Sequence, residues 1–197
     1  PEDPGADASG NARSLEGAFE AQPGPDELPA TALSGRYTAP GGGNPLAGKG
    51  CFTVALWVKL AEPTANIKLV SAAWWRGGLD ASGLVVGVHY PEAWTDQLGD
   101  FWGEGSNRSE RVNPLGLPAD AWAHLVVTYD GERLVEYVDG EPVNDFETAG
   151  LPIGAGADLQ LGHWDGGFTG QGALADVRIY DAAMAPAAVL AHTPTPR

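Results

Sequence analysis

One cysteine, one methionine and eleven basic residues are what this 197-residue chain has least of. A single thiol, Cys51, cannot close an intrachain bridge, so stability has to come from burial. With 43% hydrophobic residues a chain of this length can supply that burial in one core. No apolar run approaches the roughly 20 residues that cross a bilayer as a helix, so membrane insertion is not expected. Eleven Lys and Arg stand against 26 Asp and Glu, a formal charge of -15. That balance repels phosphate backbones and anionic lipid, which removes nucleic acid from the expected partners, and it also keeps a protein soluble. Charged residues make up only 19%, whereas 28 glycines and 16 prolines describe a chain that turns often, as all-β proteins do. The opening PEDPGADASG is neither basic nor followed by an apolar stretch. A start at Pro reads as a processed chain or a piece of a larger polypeptide or assembly, which leaves secretion open.

Residues 1–30 form an acidic lead-in rich in Pro, Gly and Ala, with seven carboxylates and the single base Arg13. It reads as solvated, although Leu15 and Phe19 are spaced for one face of a short helix or strand. Residues 31–197 read as the folded domain. From Tyr37 onward short β-type runs alternate with turn residues, the rhythm of a two-sheet antiparallel sandwich. CFTVALWVKL (51–60) is apolar on both faces and suits a strand covered on both sides. KLVSAAWW (68–75), GLVVGVHY (83–90) and DFWGEG (100–105) follow, the last preceded by a loop at 91–99. In AWAHLVVTYDGERLVEYVDGEPV (121–143), Asp130-Gly131 and Asp139-Gly140 each separate two β runs, which predicts two tight hairpin turns and a three-strand meander. ADLQLGHW (157–164) and GALADVRIYD (172–181) supply the last strands. AAMAPAAVLAH (182–192) reads as a short terminal helix broken by Pro186.

Trp122, HLVVTYDG, EYVDGEPV and the stretch ending in GALADVRIYDAAM, taken in that order, resemble the laminin G-like branch of the concanavalin A-like jelly rolls. FTVALWVK (52–59) is similar to an early strand of that family, so the resemblance runs from about Ser34 to His192. It implies two facing antiparallel sheets, one concave, with ligand sites in the concave groove or on the rim loops. It implies no single function, because this architecture hosts lectins, adhesion modules, hydrolases and lyases.

Trp57 and Trp122 lie inside β runs and read as core. Trp74, Trp75, Trp94, Trp102 and Trp164 stand at strand ends or in loops beside glycines and carboxylates. Sugar rings stack their C–H faces on indoles while carboxylates and amides meet the hydroxyls. These five tryptophans, with Asp96, Asp100 and Glu104, are therefore the candidate ligand-binding residues, and loop packing is the alternative for each. Asp80, His89, Asn107 and Asp165 are further polar candidates.

In Asp100-Phe101-Trp102-Gly103-Glu104 a strand's period of two sets Asp100, Trp102 and Glu104 on one face. Two carboxylates roughly 5 to 5.5 Å apart serve retaining glycoside hydrolysis, so Asp100 and Glu104 are weak catalytic candidates. The stretch partly resembles the E-x-D-x-E strand of jelly-roll glucanases, but Asp100 replaces the first Glu and Trp102 the middle carboxylate. The expectation is accordingly a protein that binds and does not catalyse. His89 and Tyr90 alternate across a strand, which disfavours a lyase, and no nucleophile elbow or H-x-x-x-H zinc pair occurs. His124, inside a strand, reads as structural. Asp176 resembles the last-strand aspartate with which many concanavalin A-like domains bind a structural calcium on the convex side; a salt bridge or surface position is its alternative. The resulting expectation is an extracytoplasmic domain that recognises glycan, with contact to other proteins as the second reading and a jelly-roll hydrolase or lyase as the third.

Overall fold

The computed structural model describes residues 5–61, 67–75, 81–88, 97–104, 107–114, 117–148, 150, 152–163 and 171–193. Within 67–114 it describes the backbone of the strands and the side chains of 68–72, 84 and 86. In chain order the strands are β1 (Ala21–Pro23), β2 (Pro29–Ala32), β3 (Tyr37–Thr38), β4 (Phe52–Leu60), β5 (Ile67–Trp75), β6 (Ala81–Val88) and β7 (Gln97–Glu104). They continue as β8 (Asn107–Pro114), β9 (Trp122–Tyr129), β10 (Arg133–Val138), β11 (Glu141–Glu147), β12 (Gln160–Leu161) and β13 (Gly172–Tyr180). A helix, α1 (Pro186–His192), follows. One sheet has the order β1-β2-β13-β4-β9-β10-β11 and the other β3-β12-β5-β6-β7-β8, and every ladder within them is antiparallel.

The alternation of β4 decides how the seven-stranded sheet is used. Phe52, Val54, Leu56, Val58 and Leu60 turn inward to the main core with Leu125, Val127 and Tyr129 of β9, Leu69, Val70 and Ala72 of β5, and Leu84 and Val86 of β6. The opposite row is buried as well. Ala55 packs with Val126, Tyr137 and Val189 of α1, while Trp57 packs with Ala30, Ala173 and Ala175, against which Leu28 and Trp122 are laid. The strand thus reads apolar on both faces because α1 covers Ala55 on the outer side while the Trp57 ring lies there over the alanines of the neighbouring strands β13 and β2. Thr53 ties the cover down: its hydroxyl donates to the Ala182 carbonyl at 2.7 Å and accepts from the Met184 N–H at 2.9 Å.

The meander is β9-β10-β11, and its two turns differ. Asp139 (φ 51°) and Gly140 (φ 85°) form a two-residue loop with both residues left-handed, as a type I′ turn requires. Asp130-Gly131 instead belongs to a three-residue connection, in which the Asp130 carboxylate accepts the N–H groups of Glu132 and Arg133 at 2.8 and 2.7 Å.

Several expectations change. The acidic lead-in is partly structured: β2 pairs with β13, Glu16 bridges Thr38, and Phe19 stacks on Tyr37 with centroids 4.5 Å apart and planes at 7°. Leu15 and Phe19 both pack on the main core, from extended backbone and not from a helix. The loop expected at 91–99 ends earlier, since β7 begins at Gln97. β8, written NRSERVNP, escapes a reading built on apolar alternation because its residues are mostly polar. Among the described residues of ADLQLGHW, 157–163, only Gln160–Leu161 pairs as strand. Pro186 begins α1 instead of breaking it, since proline's fixed φ and missing N–H are tolerated in a first turn.

Candidate functional site

The ladders of the six-stranded sheet fix where the sequence candidates stand. Trp74 is opposite Ser82, which is opposite Glu104, which is opposite Asn107. One step inward the row is Ala72, Leu84, Trp102, Ser109, and the next is Val70, Val86, Asp100, Arg111. Ala72, Leu84, Val70 and Val86 are buried in the main core. Asp100 and Trp102 therefore occupy rows that run through the core, and Glu104 the row beyond them at the sheet's end. Trp75 pairs with Ala81 and belongs to the alternate set of rows, with Ala73, Gly83 and Gly103.

Trp74, Trp75 and Glu104 thus stand where β5 and β7 end and β6 and β8 begin, with Trp102 two residues inside. Val88 and Gln97 mark the opposite ends of β6 and β7, roughly 23 Å away along an eight-residue strand. Beyond β12 the Gly162 N–H donates to the Leu69 carbonyl at 3.1 Å, so the chain leaves toward that second end. Trp94, Asp96 and Trp164, like Asp80, His89 and Asp165, lie outside the described residues. So do the side chains of Trp74, Trp75, Asp100, Trp102, Glu104 and Asn107. As strand positions, the candidates form one group at the Trp75–Glu104 end.

Asp176 sits at φ 48° in the bulge between Ala175 and Arg178 of β13, a conformation that Asp accepts more readily than most residues. Its carboxylate accepts from Arg178 Nε at 2.8 Å. Calcium takes six to eight oxygens, and among the described residues no group of three or more His, Cys, Asp or Glu is placed to hold a metal. The salt bridge, which was the alternative for this residue, thus takes one carboxylate oxygen, Oδ1, of Asp176.

His124 is structural in the way a buried imidazole must be. Its ring lies against Trp57 with centroids 5.1 Å apart, and Nδ1 is 3.1 Å from the Thr193 hydroxyl. Burial pushes its pKa down, opposed by the carboxylates of Asp139 and Asp176. The expected core position of Trp57 holds as well, but Trp122, at the start of β9, is only half-buried and packs against the Trp57 cluster from outside. GNPLAGK at 43–49 has the glycine and lysine spacing of a phosphate loop but is followed by Gly50 where such loops need Ser or Thr. The Gly43 N–H is taken by the Asp158 carboxylate at 2.9 Å and Lys49 by Asp181 at 2.9 Å, so this loop is a structural turn.

Comparison with known proteins agrees with this architecture. Domain 4 of the extracellular arabinanase AbnA from Geobacillus stearothermophilus, solved in complex with arabinotriose, superposes with a TM-score of 0.69 at 19% identity, covering 95% of this chain and 91% of that one. The binding domain of botulinum neurotoxin DC, solved with rat synaptotagmin II, gives 0.63 at 11% identity over 93% of this chain and 47% of that one. The botulinum neurotoxin serotype D ligand-binding domain, solved with N-acetylneuraminic acid, gives 0.64 at 10% over 93% and 46%. This chain spans less than half the length of those two. No curated protein matches the sequence. A family model described as the concanavalin A-like lectin/glucanases superfamily matches residues 34–190. With that span matched and the two sheets in place, the chain belongs to the concanavalin A-like lectin/glucanases superfamily.

Proposed function

We propose that this is a non-catalytic glycan-binding domain working outside the cytoplasm, with its ligand at the end of the six-stranded sheet where β5 closes on Trp74-Trp75. The observation that carries the reading is the register: Trp74, Glu104 and Asn107 share the last row of β5, β7 and β8, and Trp75 stands one step beyond on the alternate row. Such a set offers aromatic planes for sugar C–H faces and polar groups for hydroxyls on a rigid frame. The arabinotriose and N-acetylneuraminic acid complexes of similarly folded domains lend the reading support. The chain's charge of -15 favours neutral sugars over anionic ones.

A panel of neutral and sialylated oligosaccharides, followed by calorimetry on the hits, tests this. Trp75→Ala and Trp74→Ala are expected to weaken binding about tenfold or more, the loss of a stacked ring, while the melting temperature stays close to that of the unsubstituted protein. Trp102→Ala, in a core row, is expected to lower stability too. Absence of any glycan hit overturns the reading. So does release of reducing sugar that stops in Asp100→Asn or Glu104→Gln, which would establish a hydrolase.

A further inference from the structure

The outer face of the seven-stranded sheet carries a feature unrelated to the tryptophan-bearing end. α1 covers Ala55 and Val126 through Val189, and its Leu190 meets the β10–β11 turn at Gly140. Between α1 and β10–β11 an open groove of about 700 Å³ remains. Val135 and Tyr137 form its floor, Pro142 and Asp145 of β11 one side, and Met184 and Leu190 the other.

Two properties distinguish it. The first is apolar exposure. Among the described residues the large hydrophobics left exposed are Leu190, at 59%, and Val143, at 41%. Leu190 lines the groove, and Val143 follows Pro142 on the strand that bounds it. The second is charge. Asp130, Glu141 and Asp145 stand around the groove with one base, Arg133, which Asp145 already holds through two bonds at 2.6 and 3.1 Å. The Asp130 carboxyl is kept below the usual carboxylate range by the N–H groups of Glu132 and Arg133, so it stays ionised.

β11 is also the edge strand of its sheet. Among the described residues the groove is therefore not closed by a further strand beyond β11. What docks there is decided by charge: β11 carries Glu141, Asp145 and Glu147, so a second copy of this chain would bring the same acids and a further -15 against them. A basic strand meets the opposite condition. We propose that the groove between β10–β11 and α1 docks an extended basic polypeptide segment, which rests an apolar side chain against Leu190 and Met184 and its cationic groups beside Glu141 and Asp130.

Fluorescence polarisation with a labelled peptide of alternating Lys and Leu tests this, with a Glu-Leu peptide as control. The Lys-Leu peptide is expected to bind and the control is not. Leu190→Asp separates docking from general attraction, because it removes the apolar contact and adds a negative charge. Docking predicts binding about tenfold weaker, the loss of a buried leucine contact; attraction alone predicts equal or tighter binding. Glu141→Lys, an exposed edge position, is expected to weaken binding as well and stands in should Leu190→Asp melt early. Peptide-dependent amide protection is expected in Arg133–Glu147 and Pro186–His192. Equal or tighter binding by Leu190→Asp, no binding of the Lys-Leu peptide, or protection confined to β5–β8 overturns the proposal. Glycan affinity is not expected to change in either variant, so this outcome and that of the glycan reading are independent.

Discussion

Phe19→Ala asks whether the acidic N-terminal segment is part of the folded unit. The Phe19 ring lies parallel to the buried ring of Tyr37 at 4.5 Å, and Leu15 packs beside it on the main core. Truncating a fully buried phenylalanine costs about 3 to 5 kcal/mol. Phe19 is half-buried, which brings this to about 2 kcal/mol, a part of it the stacking contribution of about 0.5 to 1.5 kcal/mol. For a domain of this size that is a fall in melting temperature of roughly 4 to 8 °C. Thermal denaturation followed by circular dichroism reads the global part. Hydrogen exchange reads the local part, at the Leu15 N–H bonded to the Gly5 carbonyl and the Glu16 N–H bonded to the Thr38 carbonyl, both at 2.7 Å. Both amides are expected to exchange faster, and Phe19→Leu should recover some of the burial without the stacking. An unchanged melting temperature together with unchanged exchange at Leu15 and Glu16 would refute the docking of this segment.

Three further outcomes follow from single contacts. Gly140→Ala puts a Cβ at φ 85° and 3.0 Å from Leu190 Cδ1, so urea denaturation should show a loss of about 1 to 2 kcal/mol. His124 is buried with its pKa lowered from the ordinary 6.5, so the unfolded chain takes up its proton first. Stability is then highest above that value and falls as the pH drops below it. Urea midpoints measured between about pH 7.5 and 5 should show a slope that His124→Asn flattens; an unaltered slope contradicts the assignment. The Asp7 carboxylate accepts from Ser9 and Arg13 and is held down to about 2, so an NMR titration should place its midpoint there. The order of the loop at 7–13 should persist as the pH falls through 4 and fail only near that midpoint, and a midpoint at the ordinary 3.8 would contradict the geometry.

The sandwich was legible in the sequence where apolar patterning and turn chemistry agree. FTVALWVKL reads as a doubly covered strand because both of its faces are buried, and Asp139-Gly140 reads as a hairpin because its two left-handed residues are the ones such a turn accepts. β8 was not legible. In NRSERVNP hydrogen bonding to β7 fixes the strand, and no apolar period announces it. The N-terminal segment misled for a related reason: Glu16, Glu20, Asp26 and Glu27 face solvent, while Leu15, Phe19, Ala30 and Ala32 make the contacts that dock it. The site was legible only as residue types. DFWGE announces alternation, but only the pairing of Trp102 with Leu84 reveals that its row continues into the core. That the chain's last helix leaves an acidic groove at a sheet edge depends on where α1 crosses β9 and β10, which no local pattern encodes.

Amide exchange across the whole chain, with and without the tightest-binding oligosaccharide, tests the proposed recognition most directly. Protection concentrated in residues 72–75, 81–84 and 102–109 is the expected result. A bound sugar that leaves those strand ends unprotected, and slows exchange only at β11 and α1, would contradict it.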